Sequence, residues 1–113
     1  MHGFEGNFIG HRTKTVYNTE TKEIAEYIVD FEYNIEKVSE HQYLVHQVNL
    51  SNGKQSDLLC FMRSNDDMLV SSSEGGIDNL CMDYGKIVHK WSAPKNCNDE
   101  LLNAYIVLER VSC

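Results

Sequence analysis

Two histidines stand in the middle of apolar runs, His46 in "YLVHQVNL" and His89 in "KIVHKW". An imidazole held in an apolar wall can ligate a metal, orient a bound molecule or act as a general base. Mid-strand histidines of this kind are most often simply hydrogen-bonded, so the expectation is a polar handle on an interior wall, with no metal and no cofactor. His2, His11 and His41 fall at the terminus or near turns and add nothing to such a wall. An aromatic set accompanies the central pair. Tyr27, Phe31 and Tyr33 lie on one face of an alternating run, and Trp91 follows His89 by two places. Alternate residues of a strand share a face, and an apolar wall with a few polar tips is the composition of small-molecule pockets. The candidate ligand-binding residues are therefore Tyr27, Phe31, Tyr33, His46, His89 and Trp91. Filling of the core is the simpler use of the same aromatics.

Catalytic signatures are missing from the sequence. It contains no Gly-x-Ser-x-Gly, His-Glu-x-x-His, glycine-rich phosphate loop or Cys-x-x-Cys. "NDD" (Asn65 to Asp67) lacks the spacing of a calcium loop. "SSSEGG" (Ser71 to Gly76) reads as a hairpin turn, since paired glycines supply the positive φ of tight turns. The expectation is a non-enzymatic protein, with an activity based on His46 or His89 as the remote alternative. Of the four cysteines, Cys60 and Cys81 sit in apolar runs, where a thiol acts as a small hydrophobe. Cys97 and Cys113 lie in a loop and at the terminus and are the more reactive candidates. The opening residues lack the basic and apolar stretches of a secretory signal, so the expected location is cytoplasmic, with free thiols; the alternative is a secreted protein whose signal has been removed, in which the four cysteines could pair.

The net charge of −7 comes from 17 acidic and 10 basic residues, and the basic ones are spread singly along the chain. Nucleic-acid binding needs clustered cations that displace counterions from phosphates, so no direct nucleic-acid partner is expected. No apolar run approaches the ~20 residues of a membrane helix, and no membrane span is expected.

Positioning these side chains falls to elements that read as strands. The longest, "EIAEYIVDFEYNIEKV" (Glu23 to Val38), alternates Ala25, Tyr27, Val29, Phe31, Tyr33 and Ile35 against a mainly acidic face. Ile24, Ile28, Phe31, Ile35 and Val38 also match helical spacing. The β-branched and aromatic content, with no capping box ahead of the run, favours a strand. Seven further strands follow from alternation and punctuation: "NFIGHRTKTVY", "HQYLVHQVNL", "SDLLCFMR", "MLVSSS", "IDNLCMDY", "KIVHKW" and "NAYIVLERV". Asn52-Gly53 is a strong two-residue hairpin signal between two of them. Eight short-looped strands are about the number at which an antiparallel meander closes on itself and removes its edges. A single all-β domain over residues 1–113, an up-and-down closed barrel, is therefore expected. The alternative is an α+β fold with residues 23–38 helical on an open sheet.

The two chain ends carry a resemblance. In "FEGNFIGHR", Phe4, Gly6 and Phe8 fall on the first-strand Gly-x-Trp pattern, commonly preceded by Phe, with Phe replacing Trp. Arg110, in "AYIVLERV", stands where a last-strand arginine would pack across that aromatic. In these features the chain resembles the calycin superfamily of lipocalins and intracellular fatty-acid-binding proteins. The resemblance implies a barrel closed by Gly6, Phe8 and Arg110, with a guanidinium over an aromatic face. It also implies a ligand in the lumen. The Arg-x-Tyr carboxylate anchor of the fatty-acid binders has no counterpart in Arg110-Val111-Ser112, which points to a smaller cavity partly filled by side chains.

Two functions from different classes follow. The first is a barrel that buries a small, mainly apolar ligand against Tyr27, Phe31, Tyr33 and Trp91, oriented by His46, His89 or Arg110. The second is an interaction or structural module with a filled core and a protein partner on its outer or acidic surface. Virus-encoded modules acting on host or virion proteins are one instance of it. Either function is compatible with a monomer or a homodimer.

Overall fold

Period-two alternation runs through nearly every segment, and the backbone follows it. The computed structural model describes residues 3–70 and 77–111. Its strands are β1 (Gly6–Asn18), β2 (Ile24–Ser39), β3 (Gln42–Asn49), β4 (Gln55–Ser64), β5 (Asp67–Val70), β6 (Ile77–Asp83), β7 (Lys86–Ala93) and β8 (Glu100–Arg110). Each pairs antiparallel with the next, and β8 pairs back onto β1, so the meander closes into a barrel. The fold is all-β and eight-stranded, as the strand count predicts. Among the described residues there is no helix, and none long and apolar enough to cross a membrane. The Ser71–Gly76 turn reading lies outside the described residues.

The ambiguous run is strand β2, and the helical alternative is set aside. Phe31, Tyr33 and Ile35 are buried in alternation, while Ile24 and Ile28, on which the helical spacing depends, are 68% and 69% exposed. A helix would have buried those two isoleucines with Phe31 on one stripe. The strand instead sends even-numbered residues outward and odd-numbered ones inward.

One end of the barrel is filled and tied. Phe4, Phe8, Tyr33, Val45, Cys60, Met68, Leu80, Ile87 and Leu108 are almost wholly removed from solvent. Phe8 sits beneath Arg110, whose guanidinium carbon is 4.6 Å from the ring centroid. The same guanidinium donates to the carbonyls of Gly3, at 2.9 Å, and Glu5. Arg110 thus stacks on the first strand and holds the segment before it, where Phe4 packs edge-on against Tyr43 at 5.7 Å. Two glycines make this closure possible. A Cβ on Gly6, at φ +129°, would strike the Arg110 guanidinium, and one on Gly10 would overlap the Val107 carbonyl where β1 and β8 approach.

The other end is slanted because the strands differ in length. β1 has 13 residues and β2 has 16, whereas β3 has 8. Regular pairing of β2 with β3 begins at Phe31–Asn49, while pairing of β2 with β1 continues to Ile24–Tyr17. β1, β2 and β8 therefore rise beyond the short strands and draw the molecule out to 48 × 26 × 25 Å.

Candidate functional site

Register places the inward side chains in rows. One row, Val29, Arg12, Ile106, His89, Leu80 and Met68, runs from β2 round to β5. The next row toward the open end is Tyr27, Lys14, Ala104, Trp91 and Asp78. The first row forms a floor over the filled core, and the second lines a mouth.

A hydrogen-bonded chain crosses that floor. Gln47 Nε2 donates to the Tyr33 hydroxyl at 2.7 Å, Tyr33 Oη lies 2.6 Å from His89 Nδ1, and His89 Nε2 lies 2.5 Å from Asp78 Oδ1. The tautomer that satisfies every member has Tyr33 donating to Nδ1 and Nε2–H donating to the Asp78 carboxylate. Tyr33, His89 and the Asp78 side chain are all buried, where an incomplete chain of polar groups would be costly. Burial, ahead of the neighbouring Asp78 charge, pushes the Tyr33 hydroxyl far above its ordinary pKa. Tyr33 therefore serves as a proton-bearing donor and not as a base or nucleophile. Burial and then Asp78 push the Cys60 thiol up to about 12, which keeps it unreactive.

Arg12 lies beside this chain and is not part of it. Its guanidinium carbon stands 4.8 Å from the Phe31 ring centroid, and its Nε is buried with no hydrogen-bond partner among the described residues. Desolvation lowers its pKa. Among the described residues no carboxylate forms an ion pair with Arg12 or with Lys14, one row nearer the opening. Among the described residues the Arg12 Nε is the one buried side-chain donor without an acceptor.

The sequence-derived residues divide accordingly. His89 belongs to the floor, Tyr33 and Phe31 lie just below it against His89 and Arg12, and Trp91 stands half-buried in the mouth. Tyr27 faces the same mouth but is 54% exposed, because β2 has no β3 beside it at that height. His46 corrects the expectation of an inward histidine: it lies on the outer face, 2.9 Å from Asp57 and 3.4 Å from Glu36. β3 turns Tyr43, Val45 and Gln47 inward, so alternation sends His46 out. Hydrogen bonds to Asp57 first and Glu36 second raise the His46 pKa.

Sequence reasoning missed Arg12, Gln47 and Asp78. Arg12 is in phase with Phe8, two residues past Gly10. Asp78 follows from the Tyr84-Gly85 hairpin, whose register sets Asp78 beside Trp91 and Leu80 beside His89. Gln47 carried no signal, since its run has apolar residues on both faces. Cys60, Cys81 and Cys97 are free thiols.

The molecule is thus a closed eight-stranded antiparallel barrel, packed at one end, with a polar-floored mouth at the other. Compared with known proteins, the chain matches no family model and no curated protein.

Proposed function

We propose that the barrel binds a small, mainly apolar ligand at its open end and carries out no reaction on it, in the manner of the calycin-like barrels its chain ends resemble. The observation that carries this reading is the Nε of Arg12, buried and unpartnered among the described residues, at the floor of a mouth lined by Tyr27, Lys14, Ala104 and Trp91. A ligand with an acceptor group at one end would satisfy that donor. Its apolar body would lie against Val29, Ala104 and Trp91, with Tyr27 at the rim. Packing of the core below Arg12 keeps the ligand in the mouth and out of the lower lumen. The stacking of Arg110 on Phe8 supports the calycin-like reading. The raised Tyr33 pKa supports a binding role over a catalytic one in one respect, since it keeps that hydroxyl protonated as a hydrogen-bond donor.

Trp91 is the only tryptophan, so its emission reports on the mouth alone. Titration with decanoate, decanol and 2-naphthoate, followed by fluorescence and calorimetry, is expected to give a saturable response to at least one. Arg12→Met is expected to weaken the binding of acceptor-bearing ligands by about 10- to 100-fold, the worth of a hydrogen bond to a charged group. No heat and no emission change with any of the three would overturn the reading.

A further inference from the structure

β2 outruns β3, and the parity of its hydrogen bonds shows what that leaves open. Leu50 N–H donates to the Asp30 carbonyl at 2.9 Å, so even-numbered residues of β2 direct their backbone groups toward β3. On the opposite side Asn18 N–H donates to the Glu23 carbonyl at 3.0 Å, so odd-numbered residues face β1. Beyond Asp30 the β3–β4 turn bends away, and no described strand lies beside Ile24, Glu26 and Ile28 on that side. Among the described residues their N–H and C=O groups have no strand partner and form a free edge. Edges of this kind are normally blunted by proline, lysine or a bulge. None of these occurs here: Ile24–Val29 holds no proline or lysine, and the β2 irregularity lies far off, between Lys37 and Ser39.

The outer face beside the edge has a definite chemistry. Ile24 pairs across to Tyr17 and on to Leu101, and Ile28 pairs across to Thr13 and on to Tyr105. Ile24, Ile28, Leu101 and Tyr105 are all exposed. The charged groups interleaved with them on β2 are Glu26 and Asp30; His11 lies 2.5 Å from Asp30, Lys90 of β7 stands over the Tyr105 ring, and no lysine or arginine lies on the outer face of β1, β2 or β8 at this height, so Glu26 is the carboxylate left open beside the edge.

We infer that the Ile24–Val29 edge of β2 is a docking site for an extended segment of another protein, one that alternates apolar and basic residues and adds to the sheet as a further strand. Backbone hydrogen bonds to Ile24, Glu26 and Ile28 supply the attachment, and alternate side chains supply the selectivity. Apolar residues of the segment extend the Ile24 and Ile28 surface, and a cation between them meets Glu26. A second copy of this chain fits less well. Antiparallel self-pairing about Tyr27 sets Ile24 against Asp30 and brings the Glu26 carboxylates of two chains, each of net charge −7, onto one face.

The probe is the capped heptapeptide KLKLKLK, compared with its fully N-methylated counterpart, which keeps charge and side chains but donates no backbone hydrogen bond. Hydrogen exchange at the Ile24, Glu26 and Ile28 amides is expected to be fast in the free protein and to slow by about tenfold or more at saturating peptide. The N-methylated peptide is expected to bind about 100-fold more weakly, as loss of several backbone bonds requires. Glu26→Lys, on an exposed position that leaves the core untouched, is expected to weaken the parent peptide by about tenfold. Equal binding of both peptides, protection elsewhere, or no binding would overturn the inference. So would sedimentation showing a dimer with these three amides already protected, because the occupant would then be a second copy.

Discussion

Phe8 and Arg110 join the first and last strands, and the strength of that joint can be worked out before it is measured. Phe8 is fully buried, so Phe8→Ala is expected to cost about 3–5 kcal/mol, the range for emptying a phenylalanine site in a packed core. Arg110→Met keeps the apolar stem but removes two hydrogen bonds to the Gly3 and Glu5 carbonyls and the stack on Phe8. At about 1 kcal/mol per bond and 0.5–1 kcal/mol for the stack, the expected loss is about 2–3 kcal/mol. For a domain near 100 residues that corresponds to roughly 10–20 °C in Tm. The sharper measurement is a double-mutant cycle of Phe8→Leu with Arg110→Met, followed by urea unfolding through Trp91 fluorescence. Leucine retains bulk and removes the aromatic face, so the coupling isolates the stack and should be about 0.5–1 kcal/mol. Arg110→Met alone should also release Phe4, seen as faster proteolysis within the first six residues. A Phe8→Ala cost below about 1 kcal/mol, or zero coupling in the cycle, would refute the joint.

Two further predictions concern the polar groups. Tyr33→Phe removes one oxygen and strands two partners, His89 Nδ1 and Gln47 Nε2, so a loss of about 1–3 kcal/mol is expected in the same urea assay, and a neutral result would show that the buried chain does not stabilise the barrel. The His46 pKa is raised on folding, so its stabilising effect is complete below the ordinary histidine value of 6.5 and disappears as pH rises through the folded value. NMR titration of the ring should therefore give a midpoint above 6.5, and Asp57→Asn should lower it; an unchanged midpoint in the variant would remove Asp57 as the cause.

Strand number, order and closure were readable because most strands bury only one face, and burial of one face forces period-two alternation on the sequence. The run from Glu23 to Val38 was ambiguous for a local reason. Its first turn of residues projects past the ring, so Ile24 and Ile28 sit on an outer surface where the pattern of a half-buried strand does not operate. The two histidines show where phase is lost. His46 and His89 both have apolar neighbours in sequence, yet β3 carries apolar residues on both faces, and only register with β2 and β4 decides which face is inside. His89 was easier because Ile87 and Trp91 fix its phase within its own strand. Gln47 and Asp78 join Tyr33 and His89, and Arg12 comes to lie beside them, only through pairing around the barrel, a relation that no single segment contains.

Both proposed surfaces arise from one geometrical fact, the mismatch in strand length. A barrel of equal strands would end in a level rim, with Arg12 and the residues above it enclosed or Tyr27 and Trp91 packed together as core. Here β3 ends two residues beyond Gln47, which Tyr33 joins to His89, while β1, β2 and β8 continue. The inner side of that projection becomes the half-covered wall of Tyr27, Lys14, Ala104 and Trp91, and its free margin becomes the unpaired edge of Ile24, Glu26 and Ile28. A strand added at the edge would extend the wall beside Tyr27, so a peptide there and a ligand in the mouth would share a boundary. Stability does not depend on this projection: the nearly solvent-free side chains, from Phe4 to Leu108, lie in or below the floor. The open end is thus placed where side chains can be exposed, strained toward a partner or left unpaired without loosening the joint between Phe8 and Arg110.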